Sequence, residues 1–159
     1  MIDARIVPAE VGHIAAISAD AREADERELW AQGRTTPAEA MHRGMQSSRQ
    51  AFTGLLDGEP VCMFGATPYS ILGGMGTPWM IGSNGLTPLR AQKALLQESR
   101  AALAVLQHQF PTMLFNTVDD RNTSAKRWLK WLGFTLLDPI PYGPDRLPFR
   151  PFYWSHPHV

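Results

Sequence analysis

Residues 122–134 read NTSAKRWLKWLGF, a short amphipathic helix with a boundary signal at each end. Asn122 is a residue type that caps helix N-termini, and Gly133 is the type that most often follows a helix C-terminus. At ~100° per residue, the apolar side chains of this stretch fall on one face. That face consists of Ala125, Trp128, Leu129 and Leu132. The stretch therefore predicts a helix that packs on a core and continues into a β-rich tail.

A long helix and a buried strand are predicted immediately before this stretch. Thr87 followed by Pro88 is typical of a helix start, with threonine as N-cap and proline at the first helical position. The helix is predicted to end at Phe110, and residues 113–118 form an apolar run typical of a strand. The expected buried stripe of this helix is Leu89, Leu96, Leu103, Leu106 and Phe110.

The first third of the chain predicts one strand and two helices. Residues 4–8 are a short strand, and residues 11–32 are a single helix because apolar residues recur at three- and four-residue spacing. Residues 36–39, TPAE, form a capping box with proline at the first helical position. They are predicted to open a second helix that ends near Ser47.

Two apolar runs at 52–56 and 61–66 flank Asp57-Gly58, a dipeptide typical of a tight β-hairpin. Residues 79–81 continue the sheet. After residue 134 we expect one or two strands, interrupted by a turn at 143–145. Prolines at 139, 141, 148 and 151 are expected to confine these strands to sheet edges or bulges, since proline has no N–H to donate.

The resulting order, β-α-α-β-β-β-α-β-α-β, indicates an α/β chain whose helices flank a mixed central sheet. We expect a single domain over residues 1–159. The sequence is 44% hydrophobic and 19% charged, a composition that supports a buried core. No apolar run approaches the ~20 residues that span a bilayer. Cys62 is the only cysteine and no metal-ligand spacing surrounds it, so we predict neither an internal disulfide nor a metal site.

The net charge is zero, but the charges are unevenly distributed along the chain. Residues 1–60 carry ten Asp and Glu against six Lys and Arg, whereas residues 121–159 carry two against six. This polarity is compatible with docking on a charged partner, or simply with acidic and basic helices on different faces.

The opening stretch resembles the last helix of the GNAT (Gcn5-related N-acetyltransferase) fold, whose pattern is N-x-x-A-x-x-x-Y-x-x-x-G-F. Asn122, Ala125, Gly133 and Phe134 match this pattern, and Leu129 occupies the tyrosine position. The predicted order of elements is similar to that of the family across essentially the whole chain. The resemblance implies a GNAT-like single domain.

The family holds the pyrophosphate of acetyl-CoA on a loop with the pattern Arg/Gln-x-x-Gly-x-Gly/Ala before the long helix, where backbone N–H groups bind anions. The corresponding residues here, 83–90, read SNGLTPLR, with one glycine retained and Pro88 removing a donor. If acetyl-CoA binds, the resemblance implies contacts from Gly85, Thr87 and Asn122. An ordinary helix cap is the other interpretation of Thr87.

The usual catalytic groups of this family are missing from the sequence. Between Glu59 and Glu98 there is no Asp, Glu or His to act as a base. Asp119 and Asp120 are the nearest substitutes, but the favoured interpretation of them is a solvated loop or the cap of the following helix. Leu129 cannot donate the proton that the family's tyrosine gives to the departing thiolate. We therefore assign no catalytic residue.

The other face of the 122–134 helix is basic, with an aromatic residue at its edge. Such a surface can contact phosphate groups or an acidic protein, or it can be a solvated face over a tryptophan-rich core. The tail adds arginine and tryptophan, which often anchor interfaces. The predicted interaction surface comprises Lys126, Arg127, Lys130, Trp131, Arg150 and Trp154.

Further strings are similar to the gene-13-type proteins of short-tailed phages, a family of internal virion or virion-assembly proteins. They are residues 22–29 (READEREL), 60–65 (PVCMFG), 77–79 (TPW) and 122–134. This resemblance implies a GNAT-like scaffold within a virion, with other virion proteins as partners and several copies per particle.

Three functions are compatible with the sequence. The favoured one is a virion-associated structural or assembly protein that acts through protein–protein contacts, without a cofactor or acetyltransferase activity. The alternative is an acetyl-CoA-dependent N-acetyltransferase that acts on an amine in the cytoplasm. A third is an accessory factor that binds nucleic acid through Lys126, Arg127 and Lys130, although zero net charge weighs against it.

Overall fold

A computed structural model describes residues 1–70 and 72–157. Its strands are β1 (Ala4–Pro8), β2 (Ala51–Leu56), β3 (Glu59–Pro68), β4 (Met75–Gly82), β5 (Met113–Asp119), β6 (Thr135–Leu136), β7 (Ile140–Tyr142) and β8 (Leu147–Ser155). Its helices are α1 (Val11–Ala19), α2 (Glu23–Gly33), α3 (Pro37–Ser47), α4 (Leu89–Gln109) and α5 (Thr123–Trp131). A short 3-10 turn, Asn84–Leu86, precedes α4.

The strands form one sheet in the order β1-β2-β3-β4-β5-β8-β6, and β7 pairs with β8. β4 and β5 pair in parallel, whereas the other pairs are antiparallel. Helices cover both faces because side chains alternate along a strand. Met63 packs in a cluster with residues of α1 and α3, while its neighbour Cys62 packs in a cluster with residues of α4 and α5. The mixed sheet flanked by helices is as the sequence predicts.

The prediction of one helix over residues 11–32 is wrong, because the chain breaks between α1 and α2. At the break, Ala21 forms a bridge with Ser83, and the N–H of Arg22 donates to the carbonyl of Gly82 at 3.0 Å. These backbone groups bond to the end of β4 instead of continuing the helix. The apolar spacing of this segment is continuous, and only the tertiary contact interrupts it.

The cap at Thr36 and the turn at Asp57-Gly58 are confirmed. The carboxylate of Glu39, however, accepts from the hydroxyl of Thr36 and not from its backbone N–H, so the predicted capping box is only half formed. The side chain of Thr36 accepts from the N–H of Glu39 at the start of α3. Asp57 and Gly58 both have positive φ, at 50° and 83°, which the tight turn between β2 and β3 requires. Both signals depend on neighbouring residues alone, which is why the sequence predicts them correctly.

The predicted start and stripe of the long helix need correction. The N-cap of α4 is Pro88, which has no side-chain cap, while Thr87 closes the preceding 3-10 turn. Leu89 is 46% exposed, because the helix presents a different face to the sheet. The buried residues of α4 are Ala91, Gln92, Leu95, Ser99, Ala102 and Leu106.

The helix at 122–134 is confirmed in position and phase. The side chain of Asn122 accepts from the N–H of Ala125, and Gly133 follows the helix with φ 95°. Trp128 is 6% exposed, and Leu129 packs against the buried core. Capping, periodicity and the terminal glycine all act locally, so the pattern alone is sufficient here.

The prolines of the tail do not restrict it to a sheet edge, contrary to expectation. β8 lies inside the sheet, between β5 and the short strands β6 and β7. The carbonyl of Pro151 accepts from Leu137, and that of Pro148 from Asp120, and both of these donors lie just beyond the end of a strand. At each of these two prolines the missing N–H therefore faces a position beyond the end of the neighbouring strand, where the sheet needs no donor.

No helix within residues 1–70 and 72–157 combines the length and hydrophobicity needed to cross a membrane.

Candidate functional site

The most unusual feature of the sheet is a split between β4 and β5. These parallel strands pair only at Met75 with Met113 and at Gly76 with Leu114, and then diverge. Farther along, one side chain spans the gap, since the amide of Asn116 donates to the carbonyl of Pro78 at 2.8 Å. The split leaves two strand edges facing each other inside the molecule.

A cavity of about 160 Å³ occupies this split. Its lining comes from both helical layers, with Leu29 of α2 and Ala40 of α3 on one side and Leu103 of α4 and Trp128 of α5 on the other. The cavity therefore extends through the sheet from one face to the other. We call it the cleft.

The edge of β4 presents backbone groups to the cleft. The carbonyl of Pro78 accepts from Asn116. On the same side of the strand, the N–H of Gly82 donates to Asp25 and its carbonyl accepts from the N–H of Arg22. Met80 lies midway between them, so the alternation of a strand directs its N–H and C=O into the cleft. Thr117 adds a buried hydroxyl that has no hydrogen-bond partner among the described residues. An extended ligand that carries amide groups fits such an edge.

A buried ion pair ties the two sides of the cleft together. Arg22 and Asp25, 8% and 4% exposed, form a double hydrogen bond of 3.0 and 3.1 Å. The carboxylate of Asp25 also accepts from the N–H of Gly82 on the β4 side and from the amide of Asn122 on the β5 side. Both oxygens of Asp25 are therefore used in hydrogen bonds that hold the structure together.

Glu28 lies one turn farther along α2 and also lines the cleft. Its Oε1 accepts from the N–H of Asp119 at 2.9 Å and from the amide of Asn122 at 3.4 Å. Burial, and then the negative charge of Asp25, raises the pKa of Glu28 from 4.5 to about 8. Close to neutral pH this carboxyl can therefore both hold and release a proton.

No family model and no curated protein matches the sequence. Solved structures do match. A ribosomal-protein-alanine N-acetyltransferase from Brucella melitensis superposes with a TM-score of 0.71 at 14% identity, covering 94% of this chain and 98% of that one. A GNAT superfamily phosphinothricin acetyltransferase from Sinorhizobium meliloti, solved with acetyl-CoA, has a TM-score of 0.71 at 16% identity over 98% and 91%. A spermidine N-acetyltransferase from Vibrio cholerae, solved with CoA and spermine, has 0.70 at 10% identity over 96% and 95%.

The chain has the GNAT fold. The resemblance seen at residues 122–134 is thus correct at the level of the fold.

The loop that corresponds to the GNAT pyrophosphate loop uses most of its donors internally. The N–H of Gly85 bonds to the Ser83 hydroxyl, and that of Thr87 bonds to the Asn84 carbonyl. In α4, Ala91 is the first residue whose N–H finds an acceptor at the helix start, the carbonyl of Pro88. The N–H groups of Leu89 and Arg90 therefore remain without an acceptor among the described residues at the start of α4. The predicted cofactor residues Gly85 and Thr87 are exposed beside them.

Asn122, the third predicted cofactor residue, is 2% exposed and fully engaged by the protein. Its oxygen caps α5 through the N–H of Ala125, and its amide donates to Asp25 and Glu28. In this GNAT fold Asn122 thus holds the acidic residues of α2 against the end of β5.

Asp119 and Asp120 are placed as structural residues rather than as bases. Asp119 is 1% exposed and pairs with Arg121 at 2.7 Å, an interaction that raises the pKa of the arginine. Asp120 accepts from Arg150 and Lys126, and these hydrogen bonds lower the pKa of its carboxyl. A carboxylate held so strongly in its charged form is a poor proton acceptor.

Leu129, at the GNAT tyrosine position, lines the cleft and offers no proton. The neighbouring hydroxyl in the cleft is that of Ser124, which accepts from Arg22 at 3.0 Å. Because Arg22 donates to the Ser124 oxygen, the hydroxyl hydrogen of Ser124 points away from Arg22.

The predicted interaction surface is only partly a cationic face. Lys126 and Arg150 both bond to Asp120, at 2.9 and 2.6 Å, so part of the predicted surface is paired with an acid. Helical periodicity could not predict this, because the acid lies outside the helix. Arg127 stacks over Trp131 at 5.7 Å. Lys130 is exposed, and neither it nor Arg127 forms a salt bridge with a described residue.

Trp154 lies in β8, where it pairs with Leu114 and packs against one core cluster. Trp131 packs against another. Trp154 is thus partly a core residue, and its contact with a partner protein stays a prediction. Among the described residues no group of three or more His, Cys, Asp or Glu is arranged to hold a metal ion.

The acidic residues at the cleft were missed by sequence reasoning. Arg22, Asp25 and Glu28 follow one another at intervals of three, so they share a helical face, while Glu23 and Glu26 between them are exposed. In the sequence this segment resembles an ordinary charged helix surface. The three-residue spacing was an available signal, but the burial that gives it meaning comes from β4 and α5.

Proposed function

We propose that the cleft binds acyl-CoA and that the chain transfers the acyl group to an amine. The observation that carries this proposal is the split between β4 and β5, which opens a path through the sheet with backbone donors and acceptors on its edge. Bound acyl-CoA would supply a thioester, a reactive acyl donor. The chain would supply the alignment of the two reactants.

The residues present fit such a ligand. The pantetheine arm of CoA is extended and carries amides, which match the free edge groups of Met80 and the unpartnered hydroxyl of Thr117. Its phosphates would meet the N–H groups of Leu89 and Arg90 at the start of α4, with the exposed side chain of Arg90 adding positive charge. The similar GNAT-fold structures solved with acetyl-CoA or CoA support the same ligand class.

Binding can be tested by calorimetry with acetyl-CoA and a variant that fills the cleft. Ala125 lines the cleft, so Ala125→Phe is expected to weaken binding at least tenfold. Ala101→Phe places the same side chain on the exposed face of α4 and should bind as the wild type does. Melting curves of both variants control for folding. No binding heat at millimolar acetyl-CoA would refute the proposal.

Transfer can be followed by the release of CoA thiol with Ellman's reagent across a panel of primary amines. The protein adds no background signal, since its one cysteine, Cys62, is 2% exposed and burial raises the pKa of its thiol to about 12. A rate above the uncatalysed reaction, lost in Ala125→Phe, is the expected result.

A second candidate is the virion-associated role, with assembly contacts in place of chemistry. It is favoured by the loop before α4, where the N–H groups of residues 83–87 are all bonded within the protein, and by Leu129 at the tyrosine position. Its finer assignment to short-tailed phages rests on the strings at 22–29, 60–65, 77–79 and 122–134. Exposed Arg127 and Lys130 would then contact another virion protein.

Mass spectrometry of purified particles tests this second role. The chain should be recovered in stoichiometric amounts from particles that resist washing in high salt. Its absence from particles, with recovery only from the soluble fraction of infected cells, would exclude it. Salt-dependent DNA binding that charge reversal at Arg127 and Lys130 abolishes would instead favour a nucleic-acid partner.

A further inference from the structure

We propose that Glu28 accepts the proton of the amine that is acylated, so that the base lies on α2 and not on the strands of the cleft. This inference rests on the proposed function. Glu28 is therefore assigned as a catalytic residue for the acceptor side of the reaction.

The geometry of the carboxyl suits this role. Its Oε1 is fixed by two donors, the N–H of Asp119 and the amide of Asn122. Its Oε2 receives no hydrogen bond from any described residue, although the side chain lines the cleft and stays partly accessible. One oxygen thus holds the group in position while the other remains open to a ligand, as a proton acceptor requires.

The surroundings of this carboxyl favour its neutral, protonated form. Burial, Asp25 and Asp119 all disfavour its charged form, and the nearby cations are already engaged. Arg22 is bonded to Asp25 and Ser124, and Arg121 is bonded to Asp119. The lining from β4, α3, α4, α5 and β8 contains no titratable side chain. Glu28 is therefore the uncommitted acid of the cleft lining.

The proton balance of the step is complete. A primary amine enters as an ammonium ion and gives one proton to Oε2 of Glu28, which restores the nitrogen lone pair. The nitrogen then bonds to the thioester carbonyl carbon, and the carbon–sulfur bond breaks with its electron pair on sulfur. A second proton passes from nitrogen to sulfur through water, the third hydrogen stays on the amide, and Glu28 returns its proton to solvent.

The pH dependence of kcat/KM separates this role from a structural one. Glu28→Gln retains an oxygen for the two fixing donors, so the fold should persist, while kcat/KM should fall roughly 10²–10⁴-fold. The rise in rate with pH that has its midpoint near pH 8 in the wild type should disappear in the variant. Glu26→Gln, at an exposed position of the same helix, is the matched control and should keep the wild-type profile.

A titration without acyl-CoA gives a second readout. In ¹³C NMR of the glutamate carboxyls, one signal should titrate near pH 8 in the wild type and be missing in Glu28→Gln. A midpoint at the ordinary value for glutamate would overturn the assignment, as would a Glu28→Gln variant with an unchanged rate profile.

The two proposals fail in different ways. If calorimetry detects acetyl-CoA and transfer proceeds in Glu28→Gln at the wild-type rate, Glu28 is not the base and the proposed function stands. If the wild type neither binds acetyl-CoA nor transfers an acyl group, the proposed function is excluded and the role of Glu28 is excluded with it.

Discussion

At the scale of the residue, α2 carries its chemistry in a run of charges at three-residue spacing. Asp25 and Glu28 are both acidic and lie one turn apart, yet their hydrogen-bond surroundings differ. Asp25 accepts hydrogen bonds from Arg22, Gly82 and Asn122, so both of its carboxylate oxygens are engaged by the protein. Glu28 has weaker support from donors and pays for burial next to Asp25, so its neutral form is favoured. Local hydrogen bonding, and not residue type, separates the structural acid from the reactive one.

A stability measurement tests the state of Glu28 independently of any activity. Its pKa is about 8 in the folded protein and near 4.5 in the unfolded chain, so between these values the folded state binds one more proton. The free energy of unfolding should therefore fall as pH rises from about 4.5 to about 8 and then level off. Between pH 5 and pH 9 the wild type should lose on the order of 2–4 kcal/mol of unfolding free energy through Glu28, since one pKa unit corresponds to about 1.4 kcal/mol. Glu28→Gln should not show this loss.

Urea unfolding of wild type and variant at both pH values measures this difference. Glu26→Gln should leave the wild-type slope unchanged, because its side chain is exposed. Equal slopes in the wild type and in Glu28→Gln would show that Glu28 ionises normally in the fold.

At the scale of the element, the turn between β7 and β8 docks on the C-terminal end of α2. Asp145 pairs with Arg34 at 2.7 Å, and Arg34 itself ends α2 with φ 57°. Gly143 has φ 76°, and a Cβ there would collide with the carbonyl oxygen of Ala31. The sequence marks residues 143–145 as a turn but does not indicate that α2 lies against it.

Replacement of Gly143 tests this contact. Gly143→Ala must bear both the left-handed backbone, a cost of about 1–2 kcal/mol, and the collision with α2, which adds roughly 1–3 kcal/mol. Gly133→Ala is the matched control, because Gly133 has φ 95° and open space around its Cβ position. Denaturant unfolding should show a larger loss for Gly143→Ala. Equal losses would mean that the turn does not pack on α2.

At the scale of the whole molecule, two helical layers enclose a sheet that is open at one place. The thiol of Cys62 lies in the layer formed with α4 and α5, where burial raises its pKa to about 12. Because Cys62 packs in one cluster with residues of α4 and α5, we expect its thiol to react only when this layer opens. Its reactivity is therefore a probe of global stability.

We expect Ellman's reagent to label native protein at pH 8 only at the rate at which it unfolds. One thiol per chain should react at once in denaturant, in agreement with the single cysteine of the sequence. Labelling rates at increasing urea should rise in step with the rate of global unfolding. Rapid labelling of the native protein would mean that the layer opens locally around Cys62.

The sequence by itself determined the parts of this protein that depend on neighbouring residues. The caps at Asn122 and Thr36, the turn at Asp57-Gly58 and the phase of α5 all follow from short-range hydrogen bonds and helical periodicity. Together with the order of elements, these were sufficient for the GNAT fold. Only the tertiary structure decided where α1 ends, which face of α4 is buried and that β8 lies inside the sheet.

The candidate site belongs to this second group. Glu28 is an ordinary surface glutamate in the sequence, and its pKa is raised only because the fold buries it beside Asp25. Asp119 and Asn122 hold its Oε1 in place. Asp119 and Asn122 are about ninety positions away along the chain. A pKa depends on burial and on nearby charges in space, and no local pattern specifies either of them.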